Sequence, residues 1–143
     1  MLLLRRIIIS ILLLASLLVA AFPGIVYMVG IARVDGRPTP ANPNNYSQEA
    51  INLAWAKCDE TLPIEVEKTN PWKIANKFLF GNPLHATTGE LAAWKIASSH
   101  NANHRMGNNT WWHISGAALT IWITRHWSAQ EIGATLVREN LCR

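Results

Sequence analysis

The chain opens with an uncharged apolar run that extends from Ile7 to Ala32, directly after Arg5 and Arg6. About 20 consecutive apolar residues are enough to cross the hydrocarbon core of a bilayer. A core helix of a globular protein carries a polar face, and this run has no polar stripe at helical spacing. The run therefore predicts a transmembrane helix, and it predicts that the remaining chain works at a membrane.

A cleavable signal peptide is the alternative interpretation of the same residues. Its basic region would be Arg5 and Arg6, and Val19 and Ala21 would precede a cut ahead of Phe22. Apolar sequence resumes at once after that point, however, whereas the apolar region of a signal peptide is normally only about 7–15 residues long. The sequence therefore favours an uncleaved signal-anchor.

The basic residues near the apolar run do not settle how the helix is oriented in the membrane, because they flank both of its ends. Arg5 and Arg6 lie on one side, and Arg33 and Arg37 lie on the other. The positive-inside rule counts Lys and Arg close to the span. The short N-terminal segment and the large C-terminal remainder favour an N-inside orientation, with a C-terminal domain outside.

Two cysteines, Cys58 and Cys142, are the only ones in the chain. A pair that lies beyond the membrane can form one disulfide bond, because such bonds persist in oxidising compartments. Two unrelated buried thiols are the alternative. The sequence leaves both interpretations open.

Charge and composition limit the partners of the chain. The formal net charge is +4 and the sequence pI is about 9.4. A modest basic balance beside a membrane is typical of contact with anionic headgroups or an anionic substrate. No Lys and Arg cluster is interleaved with aromatic residues, so nucleic acid is excluded as a partner. The predicted partners are membrane lipid and other membrane or envelope proteins, and no cofactor is predicted.

The composition divides the chain into three parts: a signal-anchor (1–34), a linker rich in Pro and Asn (35–46) and a helical domain (47–143). The linker is predicted to be an extended spacer that holds the domain off the bilayer. No later run alternates with a period of two, so the fold class is predicted to be all-α. The predicted helix starts are Ser47 or Asn45, Asn70 before Pro71, Thr87 with Glu90, and Ser128 with Glu131.

The segment from Trp111 to Ile123 is apolar on nearly all sides and too short to span a bilayer. It is therefore predicted to be a central core helix or a partly membrane-embedded segment, and core packing is the favoured interpretation. Small residues from Ser115 to Ala118 form one face, which allows another helix to approach closely. We expect this face to be tightly packed.

The stretch AALTIWITRHWSAQEIGATLVREN, Ala117 to Asn140, resembles a segment of the peptidoglycan glycosyltransferases. These are the transglycosylase modules of bifunctional penicillin-binding proteins. In that family a long apolar helix is followed by a basic pair and a Ser-capped helix, and Arg125 and Ser128 stand at those places here. The resemblance covers about residues 70–140.

The resemblance implies a lysozyme-like fragment as the helical domain and a lipid-linked disaccharide as the family's substrate. It implies substrate contacts at Thr88, Glu90 and Arg125, with Glu90 standing where the family has Gln. It also implies a bacterial cytoplasmic membrane as the location, with the domain on the periplasmic side.

The departures from the family pattern bear on catalysis. The family's catalytic base lies in an E-D-x-x-F-x-x-H motif, which does not occur in this chain. Its second Glu closes an R-K-x-x-E motif, and Trp112, His113 and Gly116 stand there instead. Glycosyl transfer needs a carboxylate to deprotonate the acceptor hydroxyl and groups that stabilise the departing diphosphate. No catalytic residue is therefore predicted.

Two function classes remain. The favoured one is a non-catalytic, membrane-anchored interaction or accessory subunit, and a small subunit of a larger membrane complex has the same sequence features. The alternative is an active glycosyltransferase, in which Glu49 or Glu60 replaces the missing base. Glu65 and Glu67 lie in a proline-bounded loop, where exposure and ordinary acidity are expected.

His100 and His104 are spaced four residues apart, which places both imidazoles on one helix face as a metal site requires. His113 or His126 would be the third ligand. No Glu follows the first His, unlike the H-E-x-x-H pattern of metalloproteases. A solvent-facing pair is the alternative to this predicted metal site.

Overall fold

A computed structural model describes residues 2–58, 66–80, 86–104 and 109–142, apart from the side chains of Leu2 and Phe78. Glu60 and Glu65 lie outside the described residues. The described ranges contain helices and no strand, which confirms the all-α prediction for them. The α-helices are α1 (Leu2–Ala32), α2 (Gln48–Cys58), α3 (Pro71–Phe80), α4 (Thr88–His104), α5 (Asn109–His126) and α6 (Ala129–Glu139), with a 3-10 turn at Pro43–Asn45.

The helix starts follow from local capping chemistry. The side chains of Ser47, Asn70 and Thr87 each accept a hydrogen bond from the backbone amide three residues later, at 3.2, 2.8 and 3.3 Å. Ser128 and Glu131 form the complete capping box that the sequence predicts. These bonds satisfy amides that have no partner within the helix, so α2, α3, α4 and α6 begin at capping residues that the sequence predicts.

The long helix α1 is exposed over most of its length, and its last turns pack against α5 and α3. Gly30 is the point of closest approach to α5. A Cβ atom at Gly30 would lie 2.8 Å from the Cβ of Ala118 and 2.9 Å from the carbonyl oxygen of Ile114. The two helices therefore meet backbone to backbone, which only small residues allow.

The segment 35–46 lies against the helical domain, so its expected role as a spacer is wrong. Pro38 and Ala41 are buried. The Ala41 amide donates a hydrogen bond to Thr135 Oγ1 at 2.9 Å, and Arg138 donates one to the Thr39 carbonyl at 2.9 Å. Helix α6 thus supplies partners for the backbone of this segment. The three-part division of the chain remains a prediction.

A disulfide bond joins Cys58, at the end of α2, to Cys142, which follows α6. Their Cα atoms are 5.0 Å apart, although the two residues are separated by 84 positions in the sequence. Of the two interpretations that the sequence leaves open, the disulfide is the one that the structure contains. The bond joins the segment that follows α6 to the last residue of α2.

Helix α5 is the centre of the fold, as its apolar sequence predicts. Every residue from Ser115 to Ile121 is buried. The helix contacts α1, α3 and α4, and Thr120 and Thr124 donate hydrogen bonds to carbonyl oxygens of the preceding turn. Because of these bonds, the buried hydroxyl groups of both threonines keep a hydrogen-bond partner in the core.

Replacing Gly116 with Leu is expected to destabilise the protein by about 1–3 kcal/mol, because the new side chain overpacks the core. A Cβ at Gly116 would already lie 3.2 Å from Cη2 and Cζ3 of the Trp94 ring. Chemical unfolding of the full chain in detergent, followed by circular dichroism, measures the change. Ala102→Leu, at an exposed position of α4, is the matched control. Equal stability of the two variants would contradict tight packing at Gly116.

Candidate functional site

Helices α1, α3 and α5 enclose an apolar cleft with a volume of about 660 Å³. This volume lies within the range of roughly 300–1,000 Å³ that is typical of ligand pockets. Each of the three helices contributes one wall. The walls include Val19, Phe22 and Val26 from α1, Trp72, Ile74 and Leu79 from α3, and Ile114, Ala117 and Ile121 from α5.

Helical spacing explains why these side chains share a cleft. Val19, Phe22 and Val26 follow the spacing i, i+3, i+7, which places them on one face of α1. The α5 wall has the same spacing. Gly30, which contacts α5, follows Val26 by one turn, so the cleft lies on the N-terminal side of that contact. Sequence reasoning missed this cleft, since the same spacing occurs on every face of a helix that is apolar all round.

Large apolar side chains on α3 are exposed beside the cleft. Trp72 is 45% exposed, Leu79 is 74% exposed and Phe80 is 78% exposed. The lysines of α3 are paired instead: Lys73 with Glu67, and Lys77 with Glu90. The apolar side of α3 is therefore presented outward, while its cations are neutralised by the rest of the domain.

The chemistry available in the cleft is that of binding. Among the described residues, its lining carries no Asp, Glu, Lys or Arg. Tyr27 and His113 are its titratable residues, and Asn109 and Thr110 add polar groups at one end. Glycosyl transfer requires a carboxylate near the acceptor hydroxyl. The described lining offers none, and its apolar walls suit a hydrocarbon ligand.

The residues that the resemblance implies for substrate contact do not line the cleft. Thr88 is buried, and Glu90 is only 5% exposed. Both carboxylate oxygens of Glu90 accept hydrogen bonds from Lys77 Nζ, at 2.7 and 2.6 Å. Arg125 is exposed, and its guanidinium donates to the Thr69 carbonyl at 3.4 Å. Glu90 serves here as an ion-pair partner between α3 and α4, and the substrate roles of these residues remain predictions.

The remaining carboxylates of interest lie outside the cleft as well. Glu49 is exposed on α2. Glu67 is also exposed, but the expected ordinary acidity is wrong: a hydrogen bond from Lys73 and the charge of that lysine lower the pKa of Glu67. A carboxylate with a lowered pKa is a weaker base, so Glu67 is a poor candidate for general-base work.

The His100 and His104 rings lie on one face of α4, as their spacing predicts. The rings stack with centroids 4.1 Å apart and planes within 3° of parallel. His104 Nδ1 lies 2.9 Å from the His100 carbonyl oxygen, and His100 Nε2 is buried without a hydrogen-bond partner in the described structure. Within the described ranges, no three His, Cys, Asp or Glu side chains form a group that could hold a metal ion. The predicted metal site therefore gains no third ligand there.

The burial of His100 predicts a loss of stability at acidic pH. Desolvation lowers the pKa of His100, and the positive charge of His104 lowers it further. Below the unfolded-state pKa of about 6.5, the unfolded chain binds a proton more readily than the folded chain does. The free energy of unfolding should therefore fall as the pH drops below that value.

Unfolding measured from about pH 7.5 to about pH 5 tests this linkage. The decrease in the free energy of unfolding over this pH range should be smaller in His100→Gln than in the wild type. His126→Gln, at an exposed position on α5, should retain the wild-type pH dependence. Identical pH dependence of His100→Gln and the wild type would contradict the assignment.

Comparison with known proteins adds no relative to this picture. No protein-family model, curated protein or solved structure matches the chain. The resemblance to the peptidoglycan glycosyltransferases therefore rests on the quoted residues alone.

Proposed function

We propose that this chain is a membrane-anchored, non-catalytic accessory or interaction subunit of the bacterial cytoplasmic membrane. The observation that carries the proposal is the packing of the anchor onto the domain. Helix α1 is long and apolar enough to span a bilayer, and its Gly30 packs directly on Ala118 and Ile114 of α5. The helical domain is thus fastened to the end of the anchor, and it sits at the membrane surface.

The disulfide supports a periplasmic location for the domain. Bonds such as Cys58–Cys142 persist in oxidising compartments and are rare in the cytosol. An N-inside anchor would place both cysteines on the periplasmic side. The covalent chemistry therefore favours an N-inside topology for the proposed anchor.

Two features support a non-catalytic role. The described lining of the cleft lacks a carboxylate, and the Glu90 carboxylate is already paired with Lys77. Gly116, which stands where the resemblance places the second catalytic Glu, is buried against the Trp94 ring. The α5–α6 pair with its Ser128 capping box is consistent with descent from a lysozyme-like transglycosylase domain. Under this proposal the lineage is retained without the reaction.

The anchor is tested on the protein from its own membranes. A C-terminally tagged chain should remain in the membrane after alkaline carbonate washing, and intact mass spectrometry should find the N-terminal segment still attached. A protein that begins at Phe22 would show that α1 is a cleaved signal peptide. That result would overturn the proposed anchor.

The choice between subunit and enzyme needs a second experiment. Cross-linking in native membranes, followed by purification and mass spectrometry, should recover one or a few membrane proteins in stoichiometric amounts. Tagging that partner should recover this chain in return. Purified full-length protein should form no polymer from a lipid-linked disaccharide. Polymer above a protein-free control would overturn the non-catalytic assignment.

A further inference from the structure

The α1 wall of the cleft lies at the depth of the bilayer's hydrocarbon. About 20 residues of helix cross the hydrocarbon core, so a span that begins at Ile7 reaches its far edge near Val26. Val19 and Phe22, which line the cleft, fall inside that span. Tyr27 follows at the level where Tyr and Trp are enriched in membrane proteins. With α1 as the proposed anchor, the part of the cleft beside Val19 and Phe22 lies next to lipid rather than water.

The same placement of α1 in the bilayer also sets the position of α3 relative to the membrane. Helix α3 packs against α1 and shares the cleft with Val19 and Phe22, so it lies beside the far end of the span, at the boundary between acyl chains and headgroups. Its most exposed side chains are Leu79 and Phe80, with Trp72 half exposed. Helices that lie in a membrane interface bury such side chains at the boundary between headgroups and acyl chains. Helix α3 thus has the exposed surface of an in-plane membrane contact beside the anchor.

The lining of the cleft and the width of the occupant favour a hydrocarbon chain over a partner helix. A transmembrane helix is about 10–12 Å wide with its side chains. A hydrocarbon chain is narrower and can lie along the full cleft between α1 and α3. The apolar lining suits the same occupant.

We propose that the cleft between α1, α3 and α5 binds one acyl chain of a phospholipid from the outer leaflet. The proposal rests on the membrane anchoring described above. The chain enters between Phe22 and Trp72, and it lies against Ala117 and Ile121 of α5. The bound lipid then fills the space between anchor and domain on the N-terminal side of the Gly30 contact.

The full-length protein in nanodiscs of phosphatidylethanolamine and phosphatidylglycerol tests the proposal. A fraction of the phospholipid carries a photoreactive diazirine on one acyl chain, and labelled peptides are mapped by mass spectrometry. Label is expected on the α5 wall at Ala117 and Ile121, which no bulk lipid reaches in a closed domain. Label on the outward residues of α1, such as Leu13 and Leu17, reports anchoring independently.

A cleft-filling variant and a matched control sharpen the test. Ala75 lines the cleft from α3, and Ala56 is exposed on α2. In Ala75→Phe, label on the α5 wall should fall about tenfold, because the larger side chain occupies the cleft. In Ala56→Phe it should remain at the wild-type level. Circular dichroism and the disulfide state confirm that both variants are folded.

Each outcome bears on a separate claim. Label on α1 without label on the α5 wall would overturn the lipid site and leave the anchor intact. Absence of label on α1 as well would overturn the proposed anchoring. Equal labelling of the α5 wall in Ala75→Phe and Ala56→Phe would overturn the assignment to this cleft. Photoreactive residues at Ala117 that capture a protein and no lipid in native membranes would favour a partner helix instead.

Discussion

Removing the disulfide by replacing both Cys58 and Cys142 with serine is expected to lower the free energy of unfolding by about 2–5 kcal/mol. The bond closes a loop between residues that are 84 positions apart. In the chain-entropy model, a loop of that size restricts the unfolded chain by roughly 4–5 kcal/mol. A loss of this size is large for a small domain, because total stabilities are only about 5–15 kcal/mol.

Denaturant unfolding of the full chain in detergent, with and without reductant, measures the effect. Tryptophan fluorescence reports the unfolding, and one contributor is Trp55, which is 1% exposed on α2, the helix that ends at Cys58. The double serine variant is the control, since reductant should leave its unfolding midpoint unchanged. Equal midpoints for oxidised and reduced wild type would show that the bond does not contribute to stability.

The second large effect is expected at Gly133, where α6 packs on α2. A Cβ at Gly133 would lie 2.5 Å from Trp55 Nε1 and 2.6 Å from Ile51 Cγ2. Trp55 and Ile51 are 1% and 2% exposed, so neither side chain can move into solvent. Gly133→Leu should therefore cost about 3 kcal/mol or more, at the upper end of overpacking effects.

The matched control is Gly24→Leu in α1, because a Cβ at Gly24 meets no atom within 4 Å. Both substitutions add the same side chain to a helical glycine, so they differ only in packing. Thermal and denaturant unfolding should show that Gly133→Leu is clearly less stable than Gly24→Leu. A difference below about 0.5 kcal/mol, the usual range of surface substitutions, would contradict the close α2–α6 packing.

The parts of the fold that depend on local chemistry were predictable. An amide three residues after Ser47, Asn70 or Ser128 needs an acceptor, and each side chain supplies one within its own turn. The length of Ile7–Ala32 specifies a long apolar helix in the same way. The small residues of α5 also predict a close helix contact, and Gly116 makes one against Trp94.

Contacts between elements that are distant in sequence were not predictable in this way. Glu90 is suitable for a capping box by its spacing, yet its carboxylate is engaged by Lys77 from another helix. The Pro and Asn content of the segment 35–46 predicts an extended spacer, yet Thr135 and Arg138 of α6 hold it against the domain. Such partners lie far away in sequence, and composition alone does not identify them.

Sequence patterns alone were therefore sufficient for the long apolar helix, the all-α class and the residues at which most helices begin, because each depends on neighbours within one or two turns. The tertiary structure decided which sides of the helices meet. It paired Cys58 with Cys142 and opened a cleft between α1, α3 and α5. A helix that is apolar on every side, such as α1, has no sequence signal for the face that packs on protein. Only the close contact at Gly30 selects it.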